Sequence, residues 1–325
     1  MTDELPPQYP GVDLSVALSP GFPSIHEAYR TLRDQKDMVC GAYALTYLLQ
    51  AYGVREHDSN PLTVDHVAAL AGTGLEEHNS ARQELVEQRI ENGEIPPERA
   101  AEWHLHEYFT EPLETVAEGG TSPRGLVRAC HRASDGLVTA VPVPATIDGD
   151  VQLTRAIFGE LLERIVSGSL PGQLICNYNL RHTLAPASLL GHKYSLVALL
   201  TQWDDSEYFR RLDWDVGHFT SVAGRIERDG SGEQYLLIRD SYKSFGWDGY
   251  HLQPESAIHT GIVRANDSRD GGVILVVPTA DLEAVETGLA DLGLEEGVWD
   301  NGSEYTPVYD DSTGPTDDST GVERL

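Results

Sequence analysis

In the segment CGAYALTYLLQAYG, Ala42, Leu45, Leu49 and Tyr52 recur at helical spacing. Ala44, Leu48 and Ala51 make the neighbouring face apolar as well, which predicts a helix buried on most sides. Gly53 stops it. Before it, Ser24 to Gln35 reads as a short helix with Ser24 as N-cap and Glu27 completing a capping box. After it come a helix over Thr63–Ala71, another opened by Ser122 and Pro123, and an amphipathic one over 151–167 carrying Leu153, Ile157, Leu161 and Ile165. A strand-like run, LVTAVPVPA, separates the last two. From Gln173 the period shifts toward strands: QLICNYNL, KYSLVALL, HFTSVAGRIER, EQYLLIRDSY and GGVILVVP. The DGSG at 229–232 joins two of them as a hairpin turn. A last helix runs over 281–292. Helices first and strands second predict an α+β fold, with N-terminal helices packed on a C-terminal antiparallel sheet.

Three stretches depart from this pattern. Residues 1–23 hold five prolines and read as an extended lead-in. Residues 75–118 are charged and helix-favouring, broken at Pro96–Pro97, and read as an inserted helical hairpin; a second insertion spans about 181–216. Residues 296–325 are acidic and rich in Gly, Ser and Thr, which predicts a disordered tail dispensable for folding. One thiol-bearing domain over 24–295 is left.

Composition narrows the setting. The 325 residues carry 52 acidic against 23 basic side chains, a formal charge of −29, and the lysines are Lys36, Lys193 and Lys243. An acidic surface nearly free of lysine stays hydrated when salt screens its self-repulsion, as in a halophilic cytoplasm. Nucleic acid and anionic membrane are excluded as partners, because no basic stripe exists to replace phosphate counterions. The N-terminus lacks the basic and apolar regions of a signal peptide, and no run approaches the roughly 18 apolar residues of a membrane span, so a cytoplasmic location is expected. Cys40, Cys130 and Cys176 are odd in number and lack metal-ligand spacing, so neither a disulfide framework, a metal nor another cofactor is expected.

Chemistry concentrates at Cys40, where a polar loop meets the most apolar helix. A helix N-terminus stabilises a thiolate. His218, in Gly-His-Phe at a strand start, is the candidate base. The following hairpin returns in IRDSY, so its topology sets Asp240 beside the start of the first strand, 22 positions from the histidine. An acidic side chain there can hold the imidazole tautomer. Gln35, five residues before Cys40, is the candidate oxyanion donor with the backbone N–H of Cys40.

The ordered segments QKDMVCGAYALTYLLQAYG, LTVDHVAALAG, GTSPRGLVRACHRA and GHFTSVAGRIERDGSGEQYLLIRDSY resemble the bacteriocin-processing (double-glycine leader) peptidases of the papain-like cysteine peptidase superfamily. The resemblance implies a papain-like fold and a thiol peptidase acting on a peptide or protein substrate through an acyl-enzyme. It implies Cys40 as nucleophile, His218 as base, Asp240 as its orienter and Gln35 as oxyanion residue. The chain departs from that family in having Asp240-Ser241 for Asp-Pro, in the two insertions, and in lacking fused transporter segments.

Other readings accompany these. His192, in GHKYSLVALL, is a second Gly-His entering a strand, but it lacks the hairpin and closing Asp. His104 and His106 are two apart and diverge on a helix, which suits a solvated face better than a metal. Cys130 and Cys176 sit among apolar residues and read as core. The same fold without chemistry is a binding module. The same triad with an amine acceptor is a transglutaminase-like acyl transferase.

Overall fold

The computed structural model describes residues 14–35, 38–76, 92, 112–113, 119–184, 214–228, 234–243, 245–264 and 269–303. Seven strands form one antiparallel sheet: β1 (Leu14–Leu18), β2 (Val138–Pro144), β3 (Gln173–Asn179), β4 (Gly217–Arg228), β5 (Gln234–Arg239), β6 (Tyr250–Pro254) and β7 (Gly272–Pro278). Their order is β6-β5-β4-β3-β7-β2, with β1 added along the second half of β4. Strand β4 changes neighbour midway: Gly217–Ser221 pair with β3, and Gly224–Arg228 with β1. A bulge between Val222 and Gly224 marks the switch. At Gly224 a Cβ would stand 2.6 Å from the Ala17 carbonyl, so only glycine admits β1 this closely.

Side chains alternate across the sheet. One face takes Ile175, Phe219, Ile274 and Val276, and on it lie α1 (Phe22–Thr31), α2 (Cys40–Ala51), α3 (Val64–Leu70) and α4 (Pro123–Ala133). The other takes Cys176, Val222, Leu236, Val273 and Leu275, covered by α5 (Arg155–Ser167), α6 (Glu255–Val263) and α7 (Leu282–Asp291). Helix α2 is the centre of the first face, buried from Gly41 through Leu49, as its all-round apolar pattern predicts. Each fully buried leucine there contributes about 1.5–3 kcal/mol. The α+β layout expected from the pattern is present, with N-terminal helices on an antiparallel sheet.

Several boundaries are corrected. Helix α1 begins at Phe22 with Gly21, at φ 74°, as N-cap; Ser24 makes no capping bond. Pro23 lies in the first turn and Gly21 supplies the left-handed residue before it, so the helix starts ahead of the serine. Glu27 pairs with Arg30 at the surface instead. Helix α5 starts at Arg155, not at 151, because the Thr154 hydroxyl accepts from Ile157 N–H and Asp150–Val151 are in a small ribbon with Thr146–Ile147. The lead-in carries β1, and β6 and α6 follow β5 where the apolar pattern is too short to announce them. Of the residues expected in a disordered tail, 296–303 pack on the body: Trp299 is buried and donates from Nε1 to Asn177 Oδ1 at 3.1 Å. The DGSG turn, KYSLVALL and nearly all of 75–118 lie outside the described residues. Gly74 and Gly120 exchange two backbone hydrogen bonds where that stretch leaves and returns. Residues 181 and 215 meet likewise, through an Arg181–Asp215 pair of 2.9 Å.

Arg239, ending β5, is the largest fully buried side chain among the described residues. Its guanidinium lies 5.5–5.9 Å from the ring centres of Phe22, Tyr29, Tyr47 and Tyr250. Nε donates to the Tyr250 hydroxyl and Nη1 to Ser221 Oγ, each at 3.0 Å. Ring faces and neutral hydroxyls thus surround the cation.

Candidate active site

Cys40 is the first residue of α2. Val39 stands at the N-cap and has no side chain to cap with, so the first N–H groups of the helix point out of it without a capping oxygen. Those donors and the positive end of the helix dipole lie at the residue that carries the thiol. Gly41 lets the helix start approach closely: a Cβ there would lie 3.1–3.3 Å from Leu126, Phe219 and Thr121. The Cys-Gly, Gly-Thr-Ser and Gly-His-Phe segments therefore converge at one point. The loop before the helix is fastened from behind. Gln35 N–H donates to Ser241 O at 3.1 Å, Lys243 N–H to Asp34 Oδ1 at 2.7 Å, and the Tyr43 hydroxyl to Arg33 O at 2.7 Å.

His218 is the second residue of β4, 3% exposed, opposite Tyr178 of β3. Its Nε2 stands 3.0 Å from Asp240 Oδ1, and the Cys40 thiol is close enough to the ring to act on its charge. Since the carboxylate occupies Nε2, the nitrogen left for the thiol is Nδ1. Tyr242 stacks on the imidazole at 5.5 Å and Tyr178 meets it edge-on at 6.2 Å. Trp214, exposed, lies beyond Tyr242 at 5.8 Å. Asp240 follows β5 and is fully buried. The hairpin places it beside His218 as the topology predicts. Its Oδ1 also accepts from Tyr242 N–H at 2.9 Å, and its Oδ2 lies 3.1 Å from His251 Nε2.

These contacts fix the charges. Burial alone would push the His218 imidazolium down, but the Asp240 carboxylate, its hydrogen bond and the thiol contact prevail and raise it above the ordinary histidine range. Burial also opposes ionisation of Asp240; His218 and then His251 hold its carboxyl well below the usual range. Burial pushes the Cys130 and Cys176 thiols far up. Cys40 differs from both in being half-buried.

Gln35 lies in the fastened loop, its Oε1 buried and, among the described residues, without a hydrogen-bond partner. A carboxamide here presents its oxygen or, turned by half a rotation, its N–H. His192, His104 and His106 lie outside the described residues. Among the described residues no group of three or more His, Cys, Asp or Glu converges to hold a metal ion, and no helix is long and apolar enough to cross a membrane.

A family model described as a family of unknown function, DUF6885, matches residues 19–300. The chain belongs to this family. No curated protein and no solved structure matches it.

The span shared with DUF6885 contains Gln35, Cys40, His218 and Asp240, and also two residues that sequence reasoning missed. Tyr242 lies inside the IRDSY segment, and its stacking on a strand-start histidine was within reach of the same hairpin argument. His251 carries no motif. It reaches Asp240 only because β6 pairs with β5, placing His251 opposite Ile238. The alternation in YHLQP, with His251 and Gln253 buried, was the one available signal.

Proposed function

We propose that this DUF6885 chain is a cytoplasmic cysteine peptidase or amidase on a papain-like fold, acting on a peptide or protein substrate. The observation that carries the reading is the buried His218–Asp240 pair at 3.0 Å, with the Cys40 thiol among the groups that raise the imidazolium. The thiolate is the form in which a cysteine acts as nucleophile, and a histidine beside it is the group that takes and returns the proton. The thiolate attacks the carbonyl carbon, forming a C–S bond and an oxyanion. Backbone N–H groups at the start of α2, with Gln35, stabilise that oxygen. The C–N bond then breaks as His218 Nδ1 gives its proton to the leaving amine. Water attacks the thioester with His218 as base, releasing the acid and regenerating the thiol. Asp240 keeps its charge throughout and holds the ring.

The test is competitive labelling with iodoacetamide near neutral pH, read by peptide mass. Cys40 should label at least roughly tenfold faster than Cys130 and Cys176, and His218→Ala should slow it toward their rate. Equal labelling of all three in the folded chain, unchanged by His218→Ala, sinks the enzyme reading and leaves a binding module on this fold.

A further inference from the structure

Asp240 is gripped from both sides, and only one side is used by the chemistry above. On Oδ2 sits His251, buried, with Nε2 at 3.1 Å. Its other nitrogen, Nδ1, lies 3.2 Å from Gln253 Nε2. Gln253 is itself fixed by a backbone segment. Leu184 N–H donates to Gln253 Oε1 at 2.9 Å, and Gln253 Nε2 donates to Leu184 O at 2.9 Å. That two-point pairing allows one orientation of the amide, because reversing it would set N–H against N–H and oxygen against oxygen. The nitrogen facing His251 is therefore a donor, and His251 Nδ1 must accept. The single ring proton is then on Nε2, aimed at Asp240. Asp240 is the charged group that faces His251; from the loop between β5 and β6, Phe245 covers the ring edge-on at 6.2 Å.

We propose that His251 is a positioning residue for the thiol centre: an Nε2–H donor, tautomer set by Gln253, that fixes Asp240 without competing for its charge. The proposal rests on the peptidase reading and deepens it. A carboxylate held on one oxygen only can rotate about its Cβ–Cγ bond and weaken its grip on His218. A second cation on Oδ2 would divide the negative charge that supports the His218 imidazolium. A bare Nδ1 opposite an amide donor avoids both. From the Leu184 backbone through the side chains of Gln253, His251 and Asp240 runs one line of oriented hydrogen bonds, ending at the His218 imidazole.

Two measurements decide it. In the unaltered full chain, two-bond proton–nitrogen correlation spectra at pH 7 should give His251 the pattern of a neutral Nε2–H ring; an Nδ1–H ring or an imidazolium overturns the proposal. The pH profile of Cys40 alkylation should then be compared among the parent, His251→Phe and His251→Gln, with melting temperature recorded for each. His251→Phe should slow labelling about tenfold at pH 7 and move its midpoint upward, the scale of losing an outer hydrogen-bond partner. His251→Gln, which restores an N–H donor, should recover most of that rate. If the parent labels fast and His218→Ala slows it while His251→Phe leaves the midpoint in place, this proposal alone falls. If the parent thiol is unreactive, the peptidase reading fails and takes this one with it. Should His251→Phe not fold, the tautomer in the parent still decides between the two outcomes.

Discussion

The two faces of the sheet solve different problems with similar materials. Beneath α5, α6 and α7 the contacts are almost wholly aliphatic, with Leu161, Ile165, Ile258, Ile262, Val285 and Leu289 against Val273 and Leu275. Beneath α1 and α2 the core contains tyrosines: Tyr29, Tyr43 and Tyr47 touch edge to face at 5.3–6.3 Å, and Arg239 is buried among rings beside them. Cys176 belongs to the aliphatic face and is an inert core thiol; Cys40 enters the tyrosine-lined face from its edge. An aliphatic face needs only volume and shape. A face that holds hydroxyls and a guanidinium must also satisfy donors and acceptors, and that requirement fixes where each side chain points. The Cys40 thiol lies at the border of the polar face, where orientation is specified.

The sharpest way to break this contrast pairs one variant from each side. Cys40→Ser should abolish turnover of an amide substrate, by about 10³-fold or more, with little change in melting temperature. Leu161→Ala on the aliphatic face should cost about 2–5 kcal/mol of stability while leaving the relative labelling of Cys40 intact. Stability and reactivity changing together in both variants would show that the two faces are not separable.

Next in size is the segment after α7. Trp299 joins the core under β7 and its ring packs over Gly272, where a Cβ would stand 2.8 Å from it. Trp299→Ala should cost about 3–5 kcal/mol in urea unfolding, whereas ending the chain after Ser303 should cost little. A neutral Trp299→Ala would return that segment to the dispensable tail expected from its charge.

Gln35→Ala tests the border itself. Turnover of an amide should fall about 10²-fold, since an oxyanion donor acts on the acyl transition state, and iodoacetamide labelling should persist because alkylation makes no oxyanion. Loss of labelling in parallel would make Gln35 a loop support instead.

The pH response should separate the faces more gently. The folded pKa of Asp240 is depressed, so its contribution is present above the usual carboxylate range and disappears as pH falls through the folded value. The folded pKa of His218 is raised, so its contribution is full below the ordinary histidine range and disappears as pH rises through the folded value. Stability should therefore decline at both acid and alkaline ends, and Asp240→Asn should flatten the acid limb. An unchanged acid limb in that variant would mean other carboxylates govern it. The smallest effect is general: with a charge of −29, the melting temperature should rise between low and molar potassium chloride. A flat or falling trend would remove the halophilic reading.

Much of the site was legible because its parts are local or joined by short topology. Cys40 sits at a helix start written in its own sequence, and a hairpin ties His218 to Asp240. What escaped depends on distant pairing. Strand β1 is five residues whose Val16 and Leu18 remain exposed, so no burial pattern marks it. His251 needs the β5–β6 register to find its carboxylate. Trp299 was hidden by acidic neighbours, because average composition says nothing about a single anchoring ring. Ser24 misled because a serine followed three residues later by Glu27 satisfies the capping pattern, while Gly21 had already begun the helix by backbone conformation.

Arg239 carries a consequence for how the molecule comes apart in acid. The groups in direct contact with it have no proton to gain as pH falls: phenols and benzene rings are neutral there, and burial lifts Tyr47 to about 12 and raises Tyr29 and Tyr250. Asp240, its immediate neighbour in the chain, does gain one. Adjacent residues thus mark a fracture line, on one side of which acid changes the chemistry and on the other does not. Amide exchange at a pH below the usual carboxylate range should find β6 and the loop before it opening first, with α1 and α2 still fastened to β5 through the guanidinium. Early exchange in α2 would show that the seam lies elsewhere.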